Sequence, residues 1–178
     1  MLTGVVIVKN ESARIEKLVS SLHFCDEIIL VDNCSTDGTC RIIEKKVDKI
    51  LRVETDDFSE LRNIGLMSAQ HTWILFVDAD EVVTEDLRKE IIAKTHKKNL
   101  VLAYYIKREE YFLGKHVRYG EIKAAREKGF IRLVKKGSGT WKGRVHETFS
   151  VQGETGTLYH PLLHYPHDTI QNFLLSVN

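Results

Sequence analysis

Four short apolar runs in the first half of the chain, each followed by a helical or loop segment, constrain its fold more than any other feature. The runs are 3–8, 27–31, 49–53 and 73–77. Between them, apolar residues recur at helical spacing over 15–22 and 61–68, and Ser59 is the predicted N-cap of the second helix. Strands that alternate with helices predict a parallel sheet with helices on both faces. Continuous apolar runs are typical of strands covered on both sides.

The pattern changes after the fourth run. A helix is predicted over 85–95, because acids lie in its first turn and bases in its last, which suits the helix dipole. Strand-like segments follow at 104–105, 111–113, 130–134 and 158–163. A last helix is predicted to begin at Asp168 and to run through Leu174. It reaches Asn178 without a C-cap signal, so we expect the sequence to stop short of the native C-terminus.

The charge balance excludes one class of partner. The 26 basic and 25 acidic residues leave a net charge of +1, whereas a nucleic-acid binder of this size usually shows a basic excess. No apolar run is long enough for a signal sequence or a membrane span, so we expect a cytosolic protein, or one held at the cytosolic face of a membrane. The three cysteines lack metal-ligand spacing and are interpreted as reduced thiols.

Asp78-Ala79-Asp80 follows directly on the fourth apolar run. In open α/β sheets ligands bind beyond the carboxyl ends of the strands, and residues two apart in an extended segment point to the same side. Two adjacent carboxylates suit Mg²⁺ or Mn²⁺, which can neutralise a departing diphosphate. The alternative is a solvated acidic turn at the end of a strand.

A phosphatase is a competing interpretation of the same segment. Residues 78–83 also match the Asp-x-Asp-x-[Thr/Val] signature of haloacid-dehalogenase-type phosphatases, in which the first Asp is a nucleophile. That family carries the signature on its first strand and needs an acidic pair further along the chain. Here 77 residues precede it, and the later aspartates Asp86 and Asp168 lie far apart.

Three other segments accompany the aspartates in a specific order: Val5-Val6-Ile7-Val8-Lys9-Asn10-Glu11, Ile28 to Thr39 with the string Val-Asp-x-x-Ser-Thr-Asp-Gly-Thr, and Leu61-Arg62-Asn63. The series resembles family 2 glycosyltransferases with the GT-A fold. The second half resembles their lipopolysaccharide-core glucosyltransferase-like branch, in segments 108–115, 131–133, 145–147 and 161–165.

The resemblance implies an α/β GT-A fold, with a mostly parallel central sheet and a smaller mixed acceptor-side region. It implies one domain over 1–178, with a nucleotide-sugar-binding half over 1–99 and an acceptor-side half over 100–178. The implied activity is inverting transfer of a hexose, glucose by resemblance, from a UDP-sugar such as UDP-glucose to a glycan or glycolipid such as a lipopolysaccharide core, with Mg²⁺ or Mn²⁺. A lipid-linked acceptor would bring the protein to the inner membrane surface. The candidate contact surfaces are 107–108, 115–118 and 135–136, which also suit plain solvated charge.

The resemblance also assigns donor-binding roles. Those roles are Val8 and Asn10 at the base and ribose with Glu11 nearby, Asp32 at the uracil N3–H, Arg62 at the diphosphate, Asp78 at the ribose or metal, and Asp80 at the metal. Charge-assisted hydrogen bonds suit an arginine at a diphosphate. Two of these side chains have ordinary alternatives, because Asp32 also suits a turn and Arg62 a helix surface.

Inverting transfer needs a base for the acceptor hydroxyl, and Glu147 is the candidate that the resemblance supplies. His146 would be a third metal ligand or would orient Glu147. The alternative for this pair is an ordinary strand edge. Three further histidines crowd the region, and each is interpreted either as a contact to the diphosphate or as a structural residue: His160, His164 and His167.

One departure from the resemblance bears on activity. Related sequences often carry an aromatic-Pro-Asp before the segment that here is 130–134, whereas this chain has Arg126-Glu127-Lys128-Gly129. Glu121 or Glu127 would have to replace that aspartate. A catalytically inactive nucleotide-sugar- or glycan-binding module is therefore kept as an alternative.

Overall fold

The four apolar runs form the parallel part of a central sheet, as predicted. The structure is a computed structural model that describes residues 1–97, 100–112, 115–117 and 128–166. Its elements, in chain order, are β1 (Leu2–Val8), α1 (Ile15–Ser21), β2 (Glu27–Asp32), α2 (Thr39–Ile43), β3 (Lys49–Arg52), α3 (Phe58–Ser68), β4 (Trp73–Asp78), β5 (Glu81–Val83), α4 (Glu85–His96), β6 (Ala103–Ile106), β7 (Arg108–Phe112), β8 (Lys115–Val117), β9 (Phe130–Lys135), β10 (Gly139–Lys142), β11 (Thr148–Val151), β12 (Thr155–Thr157) and β13 (Leu162–His164).

The central sheet has the strand order β12-β6-β9-β4-β1-β2-β3. Strands β4, β1, β2 and β3 pair in parallel, β9 is antiparallel to both β4 and β6, and β12 is parallel to β6. The sheet is therefore mostly parallel, and it takes strands from both sides of the predicted division at residue 99. The smaller mixed region is a second sheet, β5-β13-β7-β8, beside a β10-β11 hairpin.

Both faces of the sheet are covered, because successive residues of each strand point to opposite sides. On one face, Val6 packs in a cluster with residues of α1 and α4 such as Leu18 and Leu87. On the other face, Val5 packs with Leu61 of α3, and the hairpin contributes to the same cluster. The prediction of helices on both faces is confirmed.

Three predictions of local structure need comment. Ser59 is not the N-cap of α3; Asp57 is, and its carboxylate accepts the backbone N–H groups of Ser59 and Glu60. A carboxylate at this position satisfies two exposed amide groups of the first turn. The strand predicted over 158–163 is shorter and begins later, at Leu162. Leu158, the apolar residue that suggested an earlier start, is buried but does not belong to a strand. The predicted helix from Asp168 lies outside the described residues.

Candidate active site

A cavity of about 400 Å³ opens at the carboxyl ends of β1 and β4. The strands are aligned so that Ile7 lies opposite Asp78 and Val8 opposite Asp32, which brings the loops after β1, β2 and β4 to one edge of the sheet. Most of the site residues predicted from sequence line this cavity. They are Val8, Glu11, Arg62, Asp78, Asp80, His146 and Glu147.

Asp32 lies behind the cavity rather than in its lining, and the next residue, Asn33, lines it. The Asp32 side chain is fully buried. Its Oδ1 accepts the N–H of Ser35 at 3.1 Å, and its Oδ2 is 3.6 Å from Nε of Arg52. The carboxylate thus shapes the turn after β2, and its contact with a base stays a prediction.

Short polar hydrogen bonds join the loop after β1 to the loop after β2. Asn10 donates its backbone N–H to Oγ of Ser35 and accepts the N–H of Thr36 on Oδ1, at 2.9 and 2.8 Å. The N–H of Glu11 is bound by Oγ1 of Thr39 at 2.9 Å. The predicted ribose-side residues therefore also hold two loops together.

Three residues other than glycine have positive φ in the described part of the chain: Asn10 (56°), Cys34 (54°) and His146 (63°). Each lines the cavity or directly precedes or follows a residue that does. Left-handed backbone at residues other than glycine costs free energy and tends to cluster at functional sites. The strain supports the assignment of this cavity as the site.

A group of buried and partly buried charges lies in and behind the cavity wall; we call Arg62, Asp78, Glu81, Arg132 and Glu147 the charged centre. The Asp78 carboxylate accepts from Nη2 of Arg62 at 2.7 Å and from Nη2 of Arg132. Glu81 accepts the backbone N–H of Asp78 at 2.9 Å and pairs with Arg132 at 3.1 Å. Nε of Arg62 donates to Oε1 of Glu147 at 2.6 Å. One arginine thus connects the first aspartate of the pair to the candidate base.

Within the charged centre, the pKa values of Asp78 and Glu81 are shifted in opposite directions. Burial disfavours the ionised form of Asp78, but the charges of Arg132 and Arg62 outweigh it and hold the pKa of Asp78 well below its usual range. Burial raises the pKa of Glu81; Arg132 offsets this in part, and the charge of Asp78 adds to it. Strongly perturbed acids beside a cavity mark a candidate functional site.

Asp80 projects from the next turn and keeps a partly exposed carboxylate. Its Oδ2 is 3.0 Å from Nε2 of His164, which also lines the cavity. Strand β13 brings this histidine in, because it pairs antiparallel with β5, directly after Asp80, and places His164 opposite Glu81. From sequence, His164 was either a contact to the diphosphate or a structural residue; only the pairing of two strands distant in sequence identifies it as the neighbour of Asp80.

The other two histidines behave differently. His160 is held by the carboxylate of Glu90, which accepts from Nδ1 of the ring and from two backbone N–H groups. His167 lies outside the described residues, as do Glu121 and Glu127. His146 is exposed at the rim of the cavity beside Glu147.

Within the described ranges, no group of three or more His, Cys, Asp or Glu side chains forms a ready metal site. Two donors nevertheless fit a hard divalent cation: the carboxylate of Asp80 and the ring nitrogen of His164, which face the same cavity. Mg²⁺ and Mn²⁺ are often held by one or two protein ligands, with water and phosphate oxygens completing the shell. Asp78 is engaged by two arginines, so its role as a ligand stays a prediction.

Several residues of the basic stretches considered as membrane surfaces make contacts within the fold, while Arg118 lies outside the described residues; membrane contact itself stays a prediction. Arg108 lies 4.0 Å from Glu81 and 3.7 Å from Glu110. Lys136 donates to the carbonyl of Ala69, and Lys135 lies over the ring of Trp73. Among the described residues, the longest helices fall short of the length and apolarity needed to cross a bilayer.

The phosphatase alternative finds no support in this geometry. It requires Asp78 as a nucleophile at the end of a first strand. Asp78 instead ends β4, the fourth strand of the chain, and both of its oxygens accept from arginines.

Comparisons with known proteins agree with the geometry. Residues 3–150 match the family described as Glycosyl transferase family 2. The lipopolysaccharide core biosynthesis glycosyltransferase LpsC of Rhizobium meliloti is 27% identical over 163 residues, which cover 87% of this chain and 59% of LpsC. The chain therefore spans less than two thirds of that relative's length.

Solved structures share the fold. S. aureus TarS 1–349 in complex with UDP-GlcNAc aligns over 97% of this chain and 61% of that one, with a TM-score of 0.66 and 16% identity. Mannosyltransferase PcManGT from Pyrobaculum calidifontis, in complex with GDP-Man and Mn²⁺, aligns over 60% of this chain and 35% of that one, with a TM-score of 0.52 and 20% identity. Because the family match covers most of the chain and these structures share its architecture, the protein belongs to glycosyltransferase family 2 and has the GT-A fold expected from its sequence.

Proposed function

We propose that the protein transfers a hexose, glucose in the first instance, from a UDP-sugar to a glycan or glycolipid acceptor, with inversion at the anomeric carbon. One observation carries the proposal: a single cavity at the carboxyl ends of β1 and β4 is lined by Arg62, Asp80 and Glu147. Those three side chains provide a cation for a diphosphate, a ligand for a metal and a base for a hydroxyl.

The nucleotide would bind at the β1–β2 side of the cavity, against Val8, Asn10 and Glu11, with Asp32 toward the uracil. The similarity to TarS, solved with UDP-GlcNAc, supports a uridine donor. Arg62 would contact the diphosphate. Its Nη1 is buried and has no hydrogen-bond partner among the residues that the structure describes, so a donor remains for a phosphate oxygen.

Mg²⁺ or Mn²⁺ would be held by Asp80 and His164, with Asp78 and His146 as the further ligands predicted from sequence. When bound, the metal supplies Lewis-acid neutralisation of the departing diphosphate. PcManGT, a structural neighbour solved with Mn²⁺, supports a divalent cation. The protein's own contribution is to aim the carboxylate of Asp80, which His164 contacts at 3.0 Å.

Glu147 would accept the proton of the attacking hydroxyl. Its Oε1 is held by Nε of Arg62 at 2.6 Å, so the same arginine orients the base and faces the donor side. A base fixed in one rotamer loses less entropy when the acceptor arrives than a mobile one does. Arg62 acts here as a positioning residue for Glu147.

The acceptor that we propose is a lipopolysaccharide core or a related glycolipid, on the strength of the similarity to LpsC. With a lipid-linked acceptor, the enzyme would act at the cytosolic face of a membrane. The protein itself would then be cytoplasmic or peripherally bound.

The test is UDP release. The protein is incubated with UDP-glucose, UDP-galactose and UDP-GlcNAc in turn, with Mn²⁺ or Mg²⁺, with and without a lipopolysaccharide core oligosaccharide. We expect release that EDTA abolishes and that Asp80→Asn lowers about a hundredfold, as expected for loss of a metal ligand. Asp86→Asn is the matched control, because that side chain is 69% exposed on α4.

Three outcomes would contradict the proposal. UDP binding without release of UDP, whatever the sugar and metal, would indicate an inactive binding module. Release that is equal in Asp80→Asn and Asp86→Asn would remove Asp80 from the site. Hydrolysis of p-nitrophenyl phosphate without any nucleotide would indicate a phosphatase.

A further inference from the structure

His164 lies between two carboxylates. Its ring nitrogen Nε2 is 3.0 Å from Oδ2 of Asp80, and its other ring nitrogen, Nδ1, is 3.6 Å from Oε1 of Glu110. The histidine side chain is only 9% exposed. The two nitrogens of one buried ring therefore face two different acids, and only Asp80 has a part in the function proposed above.

The pairing of β13 with both of its neighbours produces this arrangement. Strand β13 is antiparallel to β5, which begins directly after Asp80, and parallel to β7, which places His164 opposite Glu110. The Glu110 carboxylate also lies 3.7 Å from Nη2 of Arg108, and its side chain is 22% exposed. Glu110 is thus fixed within the second sheet and is not a freely solvated acid.

Nδ1 of His164 is buried and has no hydrogen-bond partner among the residues that the structure describes. A buried polar atom without a partner costs free energy, so such an atom in a folded protein calls for an explanation. The Glu110 carboxylate lies within ion-pair range of it. A shift of roughly half an ångström would turn this contact into a hydrogen bond.

The chemistry of a histidine ligand explains why an acceptor at Nδ1 matters. A neutral imidazole carries one proton, and a nitrogen that binds a metal must offer its lone pair. If Nε2 of His164 serves the cation beside Asp80, the ring proton must lie on Nδ1. Histidines that bind metals generally donate this second N–H to a carboxylate, a carbonyl or water, which fixes the tautomer and the orientation of the ring.

We propose that Glu110 is a positioning residue of the metal site: it accepts the Nδ1–H of His164 and so keeps Nε2 directed at the cation that Asp80 holds. The inference rests on the proposed function. It adds a residue that does not line the first cavity itself and that acts through His164, which does.

The first measurement is the Kd for Mn²⁺ in the presence of saturating UDP, followed by the EPR signal of free Mn²⁺. We expect Glu110→Ala to raise this Kd about tenfold, as is typical for loss of a residue that supports a metal ligand. Glu110→Gln keeps an acceptor oxygen and should lie between wild type and Glu110→Ala. Glu109→Ala is the matched control and should leave the Kd unchanged, because successive residues of β7 point to opposite faces of the sheet.

A double variant tests whether Glu110 acts through His164. His164→Asn removes Nε2 but keeps a polar side chain, and it should raise the Kd for Mn²⁺ at least as much as Glu110→Ala does. In the His164→Asn background, Glu110→Ala should have no further effect, because residues that act through one contact are not additive. Thermal unfolding without metal shows whether each variant is folded. A Glu110 that serves only Arg108 would lower thermal stability and leave the Kd for Mn²⁺ unchanged.

The tautomer of His164 provides a spectroscopic measurement that needs no turnover. With UDP and Mg²⁺, which is diamagnetic, the ring ¹⁵N signals of wild type should show the proton on Nδ1. These signals are identified by their absence in His164→Asn. Glu110→Ala should give a mixture of both tautomers. A proton on Nε2 in the wild type would overturn the inference, because that nitrogen would then have no lone pair for a metal.

Two further results would overturn the inference alone. One is an equal Kd for Mn²⁺ in Glu110→Ala and Glu109→Ala, and the other is an effect of Glu110→Ala that is the same with and without His164. Wild-type protein that binds no Mn²⁺ with UDP would overturn the proposed metal site as well. Failure of the proposed transfer is distinguishable, because wild-type protein would then bind Mn²⁺ and UDP but release no UDP from any UDP-sugar.

Discussion

The loops after β1 and β2 and the charged centre are two parts of one cleft, and different forces hold them. The loops are joined by hydrogen bonds between backbone N–H groups and short side chains, such as those of Asn10 to Ser35 and Thr36, and most of these residues are exposed. The charged centre consists of ion pairs between residues far apart in sequence, and Arg62, Glu81 and Arg132 are buried.

The difference predicts where the site tolerates change. An exposed hydrogen bond that is lost is replaced by water, so its net worth is small. A buried charge that loses its partner cannot be hydrated, so the cost is several times larger. We therefore expect substitutions in the loops to affect donor binding with little effect on folding, and substitutions in the charged centre to affect both.

The largest effect is expected from Arg132→Met. Arg132 pairs with Asp78 and Glu81, and its removal leaves the buried Glu81 carboxylate without its nearest arginine and Asp78, among the described residues, with Arg62 alone. We expect the free energy of unfolding to fall by about 3–5 kcal/mol, measured by urea titration with tryptophan fluorescence. Arg132→Lys keeps the charge and should lose clearly less. Equal stability of wild type and Arg132→Met would show that the two parts of the cleft do not differ as described.

Gly65→Ala tests the apolar support of the charged centre without touching a charge. Gly65 lies on α3, three residues after Arg62, and an added Cβ would come within 2.4 Å of Cγ1 of Val5 on buried β1. We expect a loss of about 2 kcal/mol, since overpacking outweighs the better helix propensity of alanine. Met67→Ala on the same helix is the control, because Met67 is 71% exposed. A Gly65→Ala protein as stable as that control would contradict the close packing.

Asn63→Ala addresses the contact between α3 and the β10-β11 hairpin, which carries Trp141 and Phe149. The side-chain amide of Asn63 donates to the backbone carbonyl of Trp141 and accepts from the backbone N–H of Trp141, each at 2.9 Å. Loss of both bonds should cost about 1–2 kcal/mol. Proton exchange of the Trp141 amide, followed by NMR, should accelerate in the variant. Unchanged exchange would mean that the hairpin is held by its apolar contacts alone.

The smallest effect is expected in the loops, from Asp37→Asn. Hydrogen bonds from Thr39, and from the backbone N–H of Ser12, hold the pKa of Asp37 well below its usual range. A depressed pKa contributes stability above the unfolded-state value, near 4, and that contribution is lost as pH falls through the folded-state value. Because Asp37 is exposed, we expect wild type to exceed the variant by only a few tenths of a kcal/mol at pH 7.

The pH dependence checks this last prediction. Thermal unfolding of both proteins should show the gap at neutral pH and its gradual disappearance below about pH 4. A gap that widens on acidification would have the wrong sign for a depressed carboxyl pKa.

The apolar runs predicted β1, β2, β3 and β4 with little error, because a strand covered on both faces has a continuous apolar sequence. The position of Asp78 and Asp80 at the carboxyl end of β4 followed from the same pattern, because they come directly after the fourth apolar run. Other features had no such signal. Ser59 was preferred over Asp57 as the N-cap of α3, since both are good caps in a short polar run and only the backbone geometry distinguishes them.

Arg132 and His164 show the limit most clearly. Each lies in a short segment that the resemblance identifies, but neither was assigned a role in the charged centre or at Asp80. Arg132 reaches Asp78 because β9 pairs with β4, and His164 reaches Asp80 because β13 pairs with β5. These pairings join residues more than fifty positions apart, which local spacing cannot predict.

The sequence by itself determined the alternation of strands and helices, the family and the edge of the sheet at which a ligand would lie. Those properties depend on periodicity and on residues that follow one another directly. The tertiary structure alone decided which cations surround Asp78, which histidine accompanies Asp80, and that Arg62 joins Asp78 to Glu147. These depend on strand order in the sheets, and the physical reason is that buried charges are stabilised by whichever partners the folded chain brings within a few ångströms.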